Sequence, residues 1–180
     1  MTPDRYSRWK RASYALARIE PSLTSTVEWL GRLDVQHVME DQRFLNLSEH
    51  LKVTTAEIHR FSDHYTMSYL WVLESCEVLR TINKRVRSTP GLLPPDACRL
   101  LREIERAFEN VQLKPAREHM VCDSLVFSPV LDPELGIGWQ VSRTSSITRR
   151  ELSDAFLDVL ERIQYYKPFK LEPPKFLRIE

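Results

Sequence analysis

Residues 55–88 read TAEIHRFSDHYTMSYLWVLESCEVLRTINKRVRS, and the spacing of their apolar side chains decides the fold. Ile58, Phe61, Tyr65, Tyr69, Val72, Cys76, Leu79 and Val86 recur at three-, four- and seven-residue steps with no proline or glycine. That is the period of one helix face. The spacing predicts a single helix from Thr55 to about Ser88, ended by Thr89-Pro90-Gly91. Between Met67 and Leu79 the opposite face carries Met67, Leu70, Trp71 and Val78. A helix apolar all round is enclosed by other elements, so this one is expected to be the centre of a helical bundle. Glu74, between Leu70 and Val78, is then expected to be a buried carboxylate, paired or protonated. Glu77 and Arg80 stand three apart on an adjoining face and are expected to join it as an architectural ion pair.

Towards the N-terminus, Thr2-Pro3-Asp4 starts a first helix running to about Ile19, basic and interleaved with Tyr6 and Trp9. Pro21 separates it from a second helix, about Ser22 to Phe44. Towards the C-terminus, Pro94-Pro95-Asp96 opens a fourth helix that Lys114-Pro115 is expected to end. The period then changes to two. Leu125, Phe127 and Leu131, then Ile137, Trp139 and Val141, flank Asp132-Pro133-Glu134-Leu135-Gly136 and predict a β-hairpin over about 124–142. Thr148 with Glu151 forms a capping box, and Ile147 with Leu152 a hydrophobic staple, at the start of a fifth helix. The fold class is therefore mainly α: about five helices around a long central one, with one hairpin between the fourth and fifth. Residues 1–166 read as a single domain and 167–180 as a Pro-broken tail bearing Phe169, Leu171, Phe176 and Leu177.

The chain has 180 residues, 42% hydrophobic and 28% charged, with a formal net charge of +1, which places it in the soluble globular class. It has no apolar run of about 18 residues, and its first residues lack the apolar middle of a secretory signal. A cytoplasmic location without membrane contact is the expectation. Cys76, Cys98 and Cys122 have neither disulfide-framework nor zinc-site spacing. Cys76 falls on the apolar stripe and should pack as a small hydrophobe. No cofactor is indicated.

Asp34, His37 and Asp41 share one face of the second helix with Leu30 and Phe44. Two carboxylates and an imidazole could ligate a divalent ion. The favoured reading is that the helix stops or kinks near Gly31 and leaves all three solvated. His59 and Asp63, one turn apart on the long helix with His64 nearby, lie off the apolar stripe and read as a solvated face. Arg85 and Arg87 close the long helix, and Arg99, Arg102 and Arg106 follow on the next, a local basic excess suited to phosphate. Trp9 and Tyr6 among the basic residues of the first helix offer a stacking surface for nucleic acid. Cys122 with His119 and Asp123 is too local in sequence to form a working triad.

Arg32-x4-His37 and Arg43-x6-His50 resemble the Arg–His spacing of the HEPN ribonucleases, all-helical proteins whose Arg and His meet in a dimer cleft. The residue after each Arg is Leu33 or Phe44 where that family has a polar one, and the hairpin is foreign to its core. Membership is not assigned. What the resemblance implies is a metal-independent ribonuclease using His37 or His50 with Arg32 or Arg43. The reading preferred over it is a non-enzymatic module that self-associates, or binds a protein partner, through Phe127, Ile137 and Trp139 of the hairpin or through the tail.

Overall fold

The computed structural model describes residues 4–48, 54–118, 129–142 and 144–165. It is mainly helical: α1 (Asp4–Leu16), α2 (Thr24–Ser48), α3 (Thr55–Ser88), α4 (Pro95–Glu118) and α5 (Arg149–Tyr165), with a short 3-10 turn (Pro21–Leu23) before α2. The longest helix, α3, has 34 residues. Thr54 and Glu57 cap it reciprocally, a Thr-x-x-Glu signature legible in the sequence beside the helix start. A three-stranded antiparallel sheet, β1 (Pro129–Asp132), β2 (Gly136–Gln140) and β3 (Ser146–Thr148), lies between α4 and α5.

Each helix packs on its neighbours in sequence, and α5 returns to α1, so the helices form a closed ring with the apolar core inside. Trp9, Trp71 and Phe108 lie at most 1% exposed in that core. Trp9 meets Trp71 and Phe156 edge-on, with centroids 6.3 and 5.6 Å away. On the outside, Arg8 ties α1 to α5 through Asp158 and Glu161.

As expected, α3 is one unbroken helix enclosed on most of its sides, but not around Glu74. Its stripe is buried from His64 to Val86, but Ile58, Met67 and Leu70 are 57%, 44% and 49% exposed. Glu74 and Glu77 are exposed as well. The reason is topological: a ring covers a helix on its two flanks and its inner face, and the fourth side meets water. Glu74 is therefore not a buried carboxylate. Glu77 does pair with Arg80, but at the surface, where such pairs contribute little.

Two expected boundaries also move. Helix α4 continues past Lys114-Pro115 to Glu118, because proline removes one helical donor without always ending the helix. The hairpin pairs Leu131 with Ile137 and Asp132 with Gly136, and then gains the third strand, β3. Asp132 shapes its turn by accepting the Glu134 and Leu135 amides. The Thr148–Glu151 capping box is formed. Phe127, His50, Cys122, His119, Asp123 and the tail 167–180 lie outside the described residues.

Helix α2 is unbroken through Gly31, which allows close approach rather than a kink. A Cβ there would lie 2.4 Å from Trp9 Cβ and 2.6 Å from Trp9 Cγ. Gly to Ala inside a helix ordinarily gains about 0.5–1 kcal/mol. Here Gly31→Ala is expected to lose about 1–3 kcal/mol, because α1 must move away. Urea denaturation of the variant checks the sign; a stabilised protein would refute the close approach.

Candidate functional site: a buried polar centre between α2, α3 and α5

Asp34, His37 and Asp41 do share one face of α2, but that face points inward: they are 0%, 5% and 3% exposed. The expectation that they are solvated is wrong, because Gly31 lets α2 continue against α1 instead of breaking. Buried polar groups require partners. The partners come from every other wall of the site.

Arg149, the first residue of α5 and 0% exposed, bridges the two carboxylates. Its Nη1 donates to Asp34 at 2.5 Å and its Nη2 to Asp41 at 2.9 Å. Asp34 also accepts from Arg5 Nε at 2.6 Å, Trp9 Nε1 at 2.9 Å and Ser153 Oγ at 2.7 Å. Arg5 continues to Asp154 at 2.5 Å. Asp41 accepts from His64 Nε2 at 2.8 Å and from the Ile137 amide of β2 at 3.3 Å. Gly136, at φ +85°, makes room for this: a Cβ there would lie 2.4 Å from Asp41 Cγ. One cluster thus joins α1, α2, α3, α5 and the sheet.

Burial alone would raise the carboxyl pKa of Asp34, but Arg149 and Arg5 outweigh it and hold it down at about 2. Asp41 is likewise held below its ordinary range: burial opposes ionisation, and the His64 and Arg149 hydrogen bonds overcome it. Both carboxylates are ionised, and Arg149 with Arg5 balances them. The site is electrically closed.

His37 takes the opposite course. Burial first, then Arg149 and His64, push its pKa down to about 3, so it is neutral. Its Nδ1 lies 3.3 Å from His64 Nδ1 and 3.4 Å from Ser68 Oγ. Asp41 can only accept, so His64 Nε2 carries a proton, and the facing Nδ1 atoms share one more. The result is a chain from Asp41 through His64 to His37. His37 Nε2 ends it without a partner among the described residues.

Hydroxyl, imidazole and carboxylate side by side are the ingredients of nucleophilic catalysis. Ser68, however, is 0% exposed and His64 is 6% exposed, so a substrate has no access to them in this arrangement. Nor does the cluster assemble a metal centre. Among the described residues no group of three or more His, Cys, Asp or Glu could hold an ion, and the carboxylates proposed as ligands are taken up by Arg149.

The other sequence-derived candidates are not brought to this centre. Arg32 is exposed and held by Glu28 at 2.9 Å and Tyr6 at 3.0 Å, away from buried His37, so the Arg–His pair does not assemble within the chain. Arg43 is exposed, as are His59 and Asp63. Arg85, Arg87, Arg99, Arg102 and Arg106 are exposed, with Arg87 3.9 Å from Glu105 and Arg99 3.8 Å from Glu103. Trp9 is 0% exposed and cannot serve as a stacking platform. Ile137 and Trp139 are 0% and 1% exposed, covered by helices of their own chain, with Tyr65 and Tyr69 beside the Trp139 ring. They are core, not contact surface. Cys76 is packed as expected, and burial pushes its thiol up to about 11.

Sequence reasoning missed Arg149, Arg5, His64, Ser68 and Ser153. One cue was present for Arg149. A cation in the first turn of a helix opposes the helix dipole, and such a residue needs a compensating anion. No helix among the described residues is long and apolar enough to cross a membrane. No family model matches this chain, and neither does any curated protein or any solved structure.

Proposed function

We propose that this chain is a non-enzymatic interaction module that self-associates, and that its contact surface is the outer seam between α2 and α3. The observation that carries the reading is an open groove of about 590 Å³ on that seam. Its apolar floor includes Leu30, Leu33, Met67 and Leu70, and Glu74 and Glu77 stand on its rim. Trp29, one turn from Leu33, adds a ring that is 61% exposed. Contiguous apolar surface with a polar rim is the mark of a protein contact site. The polar centre supports the same reading from the other side: it is buried, charge-balanced and committed to joining helices. The self-association expected of the hairpin thus moves to α2 and α3, since Trp139 is spoken for inside the fold.

Sedimentation velocity of the full chain over a range of concentrations tests this. A concentration-dependent dimer is expected, and Leu70→Asp should weaken it about tenfold or more, the effect of some 1.4 kcal/mol, with unchanged helical circular dichroism. A wild-type chain that stays monomeric at every concentration would sink the proposal.

A further inference from the structure

The α2–α3 groove is apolar along its floor and acidic along its rim. Leu33, Met67, Leu70 and Trp71 line it together with Glu74 and Glu77, and no basic residue does. Glu77 pairs with Arg80, but Arg80 also reaches Glu109 at 3.4 Å, so one guanidinium serves two carboxylates. Glu74 is exposed and has no ion-pair partner among the described residues. Elsewhere on the seam, Glu40 and Arg60 neutralise each other. The groove therefore fits an occupant that is apolar and carries positive charge.

The sequence holds such a segment. Residues 167–180 read KPFKLEPPKFLRIE, with Lys167, Lys170, Lys175 and Arg178 against Glu172 and Glu180, and with Phe169, Leu171, Phe176 and Leu177 between them. Three prolines restrict the free chain, which lowers the cost of ordering it on binding. Extended Pro-rich segments dock in grooves lined by aromatic rings. Trp71 lines this groove, and Trp29, 61% exposed, stands beside it.

We infer that residues 167–180 of one copy lie along the α2–α3 groove of a second, so that each copy gives a tail and receives one. The inference rests on the self-association proposed above and names its contact element. Ile137 and Trp139 of the hairpin are core, which leaves the tail. Helix α5 packs between α1 and α4, across the ring from the groove. To reach the groove of its own chain, the tail would cross the outer face of α1 or of α4. The exposed charges there are Lys10 and Arg11 on α1, and Arg99, Arg102 and Arg106 against Asp96 and Glu103 on α4. That surface repels a basic segment. The groove of a second copy requires no such crossing. Residues 167–180, extended, reach about 45 Å, several helix diameters, so the exchange is reciprocal and closes on two copies.

Sedimentation velocity of the full chain tests the exchange, with circular dichroism checking that each variant is folded. Phe169→Asp with Phe176→Asp removes the anchors of the tail, and Leu70→Asp spoils the groove. Each should weaken association about tenfold or more. A mixture of the two should associate more tightly than either alone, because the tail of the Leu70→Asp chain still fits the groove of the tail variant. If the wild type dimerises and the tail variant matches it, this inference is overturned while self-association stands. A tail variant that is weakened but not rescued in the mixture overturns the exchange as well. So does a tail variant that associates more tightly than wild type, since the tail would then be covering its own groove. A wild type that is monomeric at every concentration overturns both readings.

Discussion

Replacing Arg149 with Met is expected to destabilise the protein by about 3–5 kcal/mol, the usual cost of leaving a buried charge without its partner. Asp34 and Asp41 would both lose a charge-assisted hydrogen bond in an interior where neither reaches water. Asp34 would retain Arg5, Trp9 and Ser153, so the larger injury falls on Asp41, left with His64 and one backbone amide. A distinguishing consequence follows. Adding Asp41→Asn to Arg149→Met should recover part of the loss, because removing both charges costs less than removing one. Urea denaturation at neutral pH measures it. A loss under about 1 kcal/mol for Arg149→Met, or no coupling with Asp41→Asn, would show that the bridge does not hold these helices together.

Stability should also fall on mild acidification, before ordinary carboxylates titrate. His37 is pushed down to about 3 in the folded chain against about 6.5 when unfolded. A depressed folded-state pKa means that the unfolded chain binds the extra proton first. Its contribution is fully present above pH 6.5 and is lost as pH falls through the window to about 3. One proton in that window changes stability by about 1.4 kcal/mol per pH unit. Asp34, held at about 2, adds a second loss of the same sign below its ordinary value near 3.8. Urea midpoints between pH 7 and 4 should therefore drop steeply, and His37→Leu should flatten the curve above pH 4. A wild-type curve that is flat over that range, or a His37→Leu curve of the same slope, would contradict a neutral, buried imidazole.

The two predictions share a cause that the sequence carried only in part. The face of α2 bearing Asp34, His37 and Asp41 follows from helical periodicity alone. Which way that face points does not, because it depends on whether α2 passes Gly31 unbroken. Gly31 reads as a breaker when taken by propensity, and as a close contact once Trp9 is seen against it. Glu74 shows the converse error. Apolar neighbours on its face suggested enclosure, but Met67 and Leu70 are themselves exposed and line the outer groove. A local pattern reports that a surface is apolar. It cannot report whether that surface is covered by the same chain.

What the sequence by itself determined is the set of elements: five helices, with α3 legible from its spacing, a hairpin after α4, and the capping box that starts α5. These depend on residues within a few positions of one another, through backbone hydrogen bonds, side-chain period and caps. The tertiary structure alone decided the polar centre. Arg149 lies 115 residues from Asp34 and 108 from Asp41, and the Ile137 amide is 96 residues from Asp41. Separations of that size are closed only by the ring of helices, and burial then turns scattered charges into one balanced network.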